Sequence, residues 1–408
     1  MSETALNPED LLSFNPLDPG FRSDPYAHYA RLRGNGPAVR SPVGLLVFTS
    51  HEACSTILRD PRFGHGADNE ANVFNSSDAD NGERVRSFLQ LDPPDHARLR
   101  GLVSKAFTAR RIQKLRPRVE ELVAGLVSDA VARGSLDVIG DLAYPLPVTV
   151  ISELLGVPPE DHERFRGWSD ALARGLDPDF LLPPEQIARQ RAAREEFRAY
   201  FAELAERRRA EPAGDLLSDL VRLQTEGADI SSAELLATCA LLLVAGHETT
   251  VNLIGNGTLA LLRHPEQLAW LRAHPDEIGT AIEEILRYDP PVQLTGRMAL
   301  EETEVCGQVV RAGEPVLLLL AAANRDPSVF PEPDRLDLAR GTARHLAFGL
   351  GIHFCLGAPL ARLEGEAALR ELTRHALEPL ADTPEYKDNL VLRGLAALPV
   401  RIGPATPA

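Results

Sequence analysis

One cysteine of this sequence lies in a glycine-rich loop whose composition would make its thiol reactive. The loop spans residues 348–357 and reads FGLGIHFCLG, with Cys355 near its end. Its three glycines allow positive φ and let amide N–H groups turn toward the sulfur. Apolar residues at helical spacing follow, with Pro359 in the first turn, so we expect Cys355 at a helix N-terminus. Both features lower the pKa of a thiol, and we therefore expect a thiolate.

A thiolate held in this way can be the axial ligand of a haem iron, to which it donates electron density that favours O–O cleavage. A buried structural cysteine in a tight turn is the alternative for any isolated cysteine. The ordered pattern F-G-x-G-x-H-x-C-x-G is longer than that alternative requires. The other cysteines, Cys54, Cys239 and Cys306, show neither metal-ligand spacing nor a disulfide pattern, so we expect ordinary buried thiols.

A second group of reactive side chains lies in a long apolar helix. This helix begins with the capping-box pair Ser231 and Glu234 and is predicted to reach about residue 264. At 1.5 Å per residue, it would be roughly 50 Å long and would cross the whole molecule. Its middle, residues 245–250, reads AGHETT. The glycine thins the helix for a planar ligand and dioxygen, while a threonine hydroxyl can bond a carbonyl one turn back and open a kink.

As a carboxylate and a hydroxyl in the middle of a buried helix, Glu248 and Thr249 are candidate functional residues. Polar residues that only satisfy a helix bend are the alternative. For His247, a packing or substrate-facing role is at least as plausible as a role in proton transfer.

Several basic residues have the spacing or position of anion ligands. His96 and Arg100 are four residues apart and share one helix face, although a solvated basic face would look the same. Arg297 lies in the extended segment 292–298, where a surface arginine is the alternative. His353 precedes Cys355 by two residues and can donate to the same anion.

A further pair, Glu284 and Arg287, has the i,i+3 spacing of an ion pair and lies in a helix that ends at two prolines. Exposed pairs of this kind contribute at most about 1 kcal/mol.

The remaining sequence predicts the elements that position these residues. Residues 20–60 indicate a short helix and two strands, 115–225 are largely amphipathic helix, and 307–320 suggests a hairpin that turns at residues 312–313. Residues 63–89 are polar and lack sustained periodicity, as a binding loop or a disordered connector would be.

The ordered motifs span nearly the whole chain and together resemble the cytochrome P450 monooxygenases. The resemblance implies a mainly α fold with small β-sheets (α+β) and a long central helix that crosses the haem face. It implies one domain, 1–408: a β-containing region at about 20–60, a helical core at about 90–290, a β region and haem-ligand loop at about 291–360, and a C-terminal helix and hairpin at 361–408. Residues 63–89 would cap the substrate pocket.

The resemblance also assigns roles to individual residues. Cys355 would bind the iron of haem b (iron protoporphyrin IX), and Glu248 and Thr249 would be the acid–alcohol pair that delivers protons. Glu284, Arg287 and Arg335 would form a structural network. The cofactor-binding residues implied are His96, Arg100, Ala245, Arg297, Phe348, Gly349, His353, Cys355 and Gly357, with the propionates bound by His96, Arg100, Arg297 and His353.

The reaction implied is insertion of one oxygen atom from O₂ into an apolar small molecule such as a natural product, steroid, terpenoid, macrolide or fatty acid. Since the sequence shows no flavin, iron–sulfur or nicotinamide module, electrons would come from a ferredoxin and ferredoxin reductase. Lys105, Arg110, Arg111 and Arg362 are candidates for a basic ferredoxin-binding patch. A peroxide-driven peroxygenase and a non-catalytic haem-based binding protein are the alternatives, and the Glu248–Thr249 pair argues against both.

Composition limits the function further. The chain has 408 residues, 44% of them hydrophobic, and helix-forming residues dominate. Its net charge of −16 disfavours nucleic-acid binding. The acidic N-terminus lacks the features of a signal peptide, and the apolar run 235–246 is shorter than the roughly 20 residues of a membrane span. We therefore expect a cytoplasmic monomer without a membrane anchor.

Overall fold

Helices form most of the fold, as the composition predicts. The computed structural model describes residues 12–16, 18–66, 86–105, 107–177, 181–341 and 344–405. The central part of the predicted pocket cap, 67–85, lies outside the described residues. In chain order the helices are α1 (Pro19–Ser23), α2 (Tyr26–Gly34), α3 (His51–Arg59), α4 (Asp95–Ser104), α5 (Ala109–Arg133), α6 (Pro145–Leu155), α7 (His162–Ala173), α8 (Pro184–Ala210), α9 (Leu216–Thr225), α10 (Ser232–Arg263), α11 (Pro265–Ala273), α12 (Ile278–Tyr288), α13 (Leu320–Ala323) and α14 (Ala358–Thr373).

Short strands form three small sheets in the described residues. They are β1 (Ala38–Arg40), β2 (Leu46–Phe48), β3 (Phe63–Gly64), β4 (Ser135–Asp137), β5 (Thr295–Ala299), β6 (Thr303–Val305), β7 (Gln308–Val310), β8 (Pro315–Leu318), β9 (His375–Pro379) and β10 (Pro399–Ala405). The largest sheet has the order β1-β2-β8-β5-β3, and only its β2–β8 pair is parallel. A second sheet has the order β4-β10-β9, and β6 and β7 form the third.

The central helix α10 is positioned by its capping box and by its apolar surface. The Ser231 side chain accepts a hydrogen bond from the Glu234 N–H, and the Glu234 carboxylate accepts from the Ser231 N–H, as predicted. Most of its side chains are buried, and the helix packs against α6, α7, α12 and α14. Such burial around most of the circumference is what makes α10 the core of the helical layer.

Two helical segments among the described residues, Val138–Leu155 and Ser232–Arg263, are long and apolar enough to cross a bilayer. Of the most apolar stretch in each segment, 67% is buried inside the fold. A core helix of a soluble protein passes the same test, so this observation is weak evidence for a membrane span.

The hairpin predicted for residues 307–320 is wrong in its pairing. A turn does occur at residues 311–314, where the Glu314 N–H donates to the Arg311 carbonyl. The strands that this turn joins, β7 and β8, belong to different sheets. The hairpin that forms is β6–β7, which turns at Cys306 and Gly307 because both adopt positive φ, as a two-residue type I′ turn requires.

Glu284 and Arg287 form a fully buried ion pair. Arg340 also binds the Glu284 carboxylate. The Arg287 guanidinium donates twice to the Glu284 carboxylate, at 2.7 and 2.8 Å, and Arg340 Nε lies 3.1 Å from both Glu284 oxygens. The prediction that Arg335 completes this network is wrong. Its exposed side chain pairs with Glu332, and only its carbonyl accepts from Arg287. We call Glu284, Arg287 and Arg340 the ion-pair core.

The ion-pair core connects α12 to the chain that approaches the cysteine loop. Arg287 donates three further hydrogen bonds, to the carbonyls of Asn324, Pro333 and Arg335, so that all five of its N–H groups are used. Glu284 also accepts from the Asp337 N–H. These bonds fix the segment that precedes the loop 348–357.

Candidate functional site: a cysteine loop and a cluster of unsatisfied donors

The loop 348–357 brings the Cys355 sulfur to the start of α14, as predicted. The Cys355 N–H donates to the Phe348 carbonyl at 2.9 Å, and the N–H groups of Gly357 and Ala358 donate to the sulfur. Gly349 and Gly351 adopt positive φ, and a Cβ at Gly351 would come within 2.3 Å of the Leu58 carbonyl oxygen. These two glycines are therefore required by backbone geometry.

We expected positive φ at the loop glycines, but Gly357 has a φ of −80°, in the ordinary helical region. A Cβ at Gly357 would lie 3.9 Å from the Cys355 sulfur, which is ordinary van der Waals contact. Backbone conformation therefore explains two of the three loop glycines and does not explain Gly357.

The predicted lowering of the Cys355 pKa is wrong for the polypeptide. Burial raises the pKa of this thiol and outweighs the amides of Gly357 and Ala358 and the charges of Arg100 and Arg362, all of which lower it. The sequence pattern revealed the amide donors but could not reveal how deeply the sulfur is buried. A metal ion bound to the sulfur would reverse this balance, because a coordinating thiol is deprotonated.

The middle of α10 has an accessible face, which we interpret as one wall of a cleft. Ala245 is exposed although the helix around it is largely buried, and Thr249 on the same helix face is partly exposed. The Thr249 hydroxyl donates to the Ala245 carbonyl at 2.7 Å, which is the one-turn-back hydrogen bond that the sequence predicted. A small side chain and a hydroxyl therefore line the same part of the cleft.

Three histidines from separate segments meet near the cysteine loop. The ring centroid of His353 lies 4.3 Å from that of His96 in α4 and 4.9 Å from that of His65, which follows β3. The Nε2 atoms of His65 and His96, and both ring nitrogens of His353, are buried without a hydrogen-bond partner among the described residues. Burial, with the charge of the nearby Arg297 as the second cause, lowers the pKa of His65 and of His353 to about 3.

Arg297 adds a cation to these histidines. Its guanidinium donates to the Gly296 carbonyl at 2.7 Å and to the Thr295 hydroxyl at 3.3 Å, and no carboxylate pairs with it among the described residues. Burial lowers the pKa of Arg297 to about 10. We call His65, His96, Arg297 and His353 the cationic cluster.

Arg100 lies near His96, and its charge contributes to the lowered pKa of that ring. It shares α4 with His96, as the spacing predicted, and its side chain donates to the Phe354 carbonyl next to Cys355. The charge of Cys355 acts on its pKa, which places the two side chains near each other.

The residues present fit a haem. Buried donors without acceptors are costly, and an anion placed among them would satisfy the ring nitrogens of the cationic cluster. The two propionates of a haem are such anions. Cys355 offers a sulfur ligand supported by amide donors, and exposed Ala245 leaves space beside the central helix.

Glu248 is buried beside Thr249, and its carboxylate is held by residues that the sequence did not indicate. Lys387 Nζ donates to Glu248 Oε1 at 2.7 Å, and Asn252 Nδ2 lies 3.4 Å from the same oxygen. The adjacent His247 is buried with its Nδ1 atom 2.6 Å from the Ser169 hydroxyl, and burial lowers its pKa to about 3. This environment favours the packing role for His247.

Two other residues near the site escaped the sequence analysis. His65 lies at the start of an aperiodic segment, and only its position after a strand could have drawn attention to it. Glu364 follows Cys355 by nine residues and appears in the sequence as one more acidic residue of a helix. It is fully buried next to the Thr250 hydroxyl, and burial raises its pKa to about 8. Glu364 therefore carries a proton at neutral pH.

Comparison with known proteins gives a consistent result. A family model described as "Cytochrome P450" matches residues 41–278 and 278–390. Cytochrome P450 monooxygenase PikC of Streptomyces venezuelae is 45% identical over 403 residues, which cover 96% of this chain and 94% of that protein. Vitamin D(3) 25-hydroxylase of Pseudonocardia autotrophica is 41% identical over 99% of both chains. The structure of Mycobacterium smegmatis CYP164A2 in the ligand-free state matches with a TM-score of 0.86 and 45% identity, over 95% of this chain and 98% of that one.

Proposed function

This chain belongs to the cytochrome P450 family, and from that membership we propose that Cys355 is the axial ligand of a haem b whose propionates are bound by the cationic cluster and Arg100. As a P450 monooxygenase it acts on a small molecule with O₂ and with electrons from a redox partner. One observation carries the assignment: unsatisfied donors of His65, His96 and His353 converge beside a loop that presents one sulfur. The bound haem supplies the activation of dioxygen.

The residues of the cationic cluster would orient the cofactor. Propionates are carboxylates, so Arg297 can pair with one directly, and the three histidines can each donate a ring N–H. These donors come from segments far apart in the chain: the end of β3, α4, β5 and the loop 348–357. An anion bound here would therefore fix the relative positions of these segments as well as the plane of the ring.

Glu248 and Thr249 would supply protons. The oxygen atom that is not inserted into the substrate leaves as water, so the site must deliver protons to the cleft. The Thr249 hydroxyl lies on the cleft side of α10 and can hold a water molecule, while the buried Glu248 can pass a proton toward it. This pair favours the monooxygenase over the peroxide-driven and non-catalytic alternatives.

The substrate would be an apolar molecule that receives the oxygen atom at a C–H or C=C bond. Leu241 shares a face of α10 with Ala245 and Thr249 and is partly exposed, so the side chains along this face are small or apolar. Binding in such a cleft would be driven by burial of apolar surface. A vitamin D₃ hydroxylase among the relatives is consistent with a large apolar substrate.

Electrons would come from a ferredoxin that is reduced by a ferredoxin reductase. Of the four candidate patch residues, Arg111 pairs with Asp219 at 2.8 Å and Arg362 pairs with Glu283 at 2.6 Å. Lys105 and Arg110 are exposed, and in the described part of the chain they form no ion pair. The patch therefore depends on Lys105 and Arg110. Charge reversal at Lys105 and Arg110 should weaken ferredoxin binding. Charge reversal at the exposed Arg198 in α8 is the control and should not. Unchanged ferredoxin binding in the first variant would remove the patch from the proposal.

We further propose that the chain acts as one domain and as a cytoplasmic monomer. One hydrophobic cluster includes residues from Phe88 to Ile402, which supports the single domain. The relatives compared above are bacterial P450 proteins, which supports the cytoplasmic location.

The carbon monoxide complex of the reduced protein tests the haem-thiolate assignment. Wild-type protein should show a strongly red-shifted Soret band, because a thiolate ligand donates electron density to the iron. Cys355→Ser should lose that band while the far-ultraviolet circular dichroism stays unchanged. Cys306→Ser is the matched control, since Cys306 lies outside the site and is exposed, which shows that the prediction of a buried thiol was wrong for this residue. A red-shifted band that survives in Cys355→Ser would refute the assignment.

A further inference from the structure

The carboxylate of Glu248 is bound by an amine from the C-terminal part of the chain. Lys387 Nζ lies 2.7 Å from Glu248 Oε1. The Glu248 side chain is 3% exposed, whereas that of Lys387 is 23% exposed. This ion pair therefore connects a buried carboxylate next to Thr249 with the surface of the protein.

The position of Lys387 is fixed by the fold. It lies in the segment between β9 and β10, where its N–H donates to the Gly394 carbonyl at 3.0 Å. Downstream, the Asp177 carboxylate accepts from the N–H groups of Leu390 and Val391 at 3.0 and 2.9 Å. The Arg174 side chain donates to the Asp388 carbonyl at 2.6 Å. The end of the α7 region therefore holds the segment that presents the amine.

Other ionisable side chains lie near Glu248, and several of them are acidic. The positive charge of Lys387 is therefore important there. Asp170 lies close enough to Glu248 and His247 for their polar atoms to be within 4.8 Å of one another. Asp177 also lies within electrostatic range of Glu248, and burial, with the charge of Glu248 as a smaller cause, raises the pKa of Asp177 to about 6. Tyr144 is neutral, and Arg166 lies over its ring at 4.2 Å. Lys387 is therefore the cation that directly compensates the buried Glu248 carboxylate among these acidic neighbours.

A lysine contacts a carboxylate differently from an arginine. Its compact ammonium binds one oxygen, whereas a guanidinium fork binds both. Lys387 contacts Oε1 of Glu248, so Oε2 is not held by the ion pair. The carboxylate is thus anchored on one side and open on the other.

We propose that Lys387 is a positioning residue for proton delivery: its ammonium keeps Glu248 ionised and anchored through Oε1, so that Oε2 accepts protons from water and passes them toward Thr249. This inference rests on the proposed role of Glu248 and Thr249. Each transfer begins with the carboxylate, forms the carboxylic acid, and returns to the carboxylate when the proton leaves. Lys387 stabilises the ionised state to which the cycle returns.

Selective labelling of the amines tests the ion pair without turnover. The chain has three lysines, Lys105, Lys114 and Lys387, so mass spectrometry can follow each one after trace acetylation of the haem-loaded protein. We expect Lys387 to react about tenfold more slowly than the other two, a difference of 1.4 kcal/mol. Glu248→Gln should remove most of that difference. Equal reactivity of all three amines in the wild type would overturn the proposal.

Variants of Lys387 test its effect on the reaction. In Lys387→Met, we expect the ratio of product to hydrogen peroxide to fall about three- to tenfold, less than the hundredfold or more that follows loss of a general acid. The fall should be greatest at low pH, because the variant lacks the paired cation that stabilises the Glu248 carboxylate. Lys387→Arg keeps the charge and should restore the pH profile and at least half of the lost coupling.

Arg401→Met is the matched control, since Arg401 and Glu378 form a pair of the same 2.7 Å length in which both side chains are about two-thirds exposed. Wild-type coupling and pH profile in Lys387→Met, or an equal loss in Arg401→Met, would overturn the proposal. If the wild type gave no oxygenated product with any electron donor, the proposed function itself would fail. The labelling result would still show whether Lys387 anchors Glu248.

Discussion

The ion-pair core and the cationic cluster are both groups of buried polar side chains, but only the first is satisfied by the chain. All five N–H groups of Arg287 have acceptors, and Glu284 accepts from two arginines and a backbone amide. In the cationic cluster, ring nitrogens of all three histidines have no partner among the described residues. Since burial penalises an unsatisfied polar group, the difference separates charge that maintains the fold from charge that awaits a ligand.

The ion-pair core should show the largest effect on stability. Arg287→Ala leaves the Glu284 carboxylate buried with Arg340 as its remaining cation, and we expect the free energy of unfolding to fall by about 3–5 kcal/mol. Urea denaturation of the haem-free protein measures this change. Arg222→Ala is the control, because Arg222 forms exposed helix pairs with Asp219 and Glu226. A loss below about 1 kcal/mol would mean that completed hydrogen bonding does not identify structural charge.

The cationic cluster should show the opposite pattern, with an effect on binding and none on folding. Arg297→Leu removes a charged donor to a propionate, worth about 1.5–3 kcal/mol, so haem should dissociate roughly 10- to 150-fold faster. The haem-free variant should unfold at the same urea concentration as the wild type or a higher one, because a buried unpaired cation has been removed. Transfer of haem to an excess of apomyoglobin measures the first effect.

Arg40→Leu is the control for that experiment, since Arg40 forms a partly exposed pair with Glu314 away from the cluster. Equal haem retention in Arg297→Leu and wild type would exclude Arg297 from the cofactor site. A lower stability of the haem-free variant would show that Arg297 belongs with the structural charges.

Arg340, which binds Glu284, and Arg335, which the sequence predicted in its place, provide a smaller test. Arg340→Ala removes contacts with Glu284 and with the Pro331 and Arg335 carbonyls, and we expect a loss of about 1–3 kcal/mol in unfolding free energy. Arg335→Ala should change the unfolding free energy by no more than about 0.5 kcal/mol, because its side chain is exposed. Urea unfolding of both variants decides between them, and a reversed order would restore the sequence-based choice.

The sequence revealed the parts of these clusters that follow local periodicity. The i,i+3 spacing of Glu284 and Arg287 and the i,i+4 spacing of His96 and Arg100 follow directly from helix geometry, and the capping box fixed the start of α10. The third arginine of the ion-pair core lies more than 50 residues from Glu284, where Arg335 and Arg340 both occur. Spacing cannot choose between two arginines in irregular chain, because irregular chain has no period.

The sequence also could not show how deeply each side chain is buried. It reverses the expected direction of the Cys355 pKa, and it raises the pKa of Glu364 on a helix where acidic residues are ordinary. His65 and Lys387 come from segments without periodicity, and only tertiary structure places them beside His353 and Glu248. Residue type and spacing therefore predicted the candidate site residues, whereas their electrostatic environment required the fold.

His65 gives the smallest effect, through the dependence of stability on pH. Its pKa is lowered to about 3 in the folded chain, by burial and by Arg297, His96 and Arg86, against about 6.5 when unfolded. Between these values the unfolded chain binds more protons, so stability is retained above pH 6.5 and falls as the pH decreases. The slope that His65 contributes is at most about 1.4 kcal/mol per pH unit, and less because the side chain is partly exposed.

His65→Phe should therefore flatten the decline in urea midpoint of the haem-free protein between pH 7.5 and pH 5.5, while the exposed His274→Phe should not. Haem should flatten it as well, because propionates placed beside His65 stabilise the protonated ring and raise its pKa toward the unfolded value. The comparison between the two clusters depends on this second effect. If haem left the pH slope of the wild type unchanged, the unsatisfied histidine would be responding to burial alone, and its free Nε2 would no longer indicate an anion site.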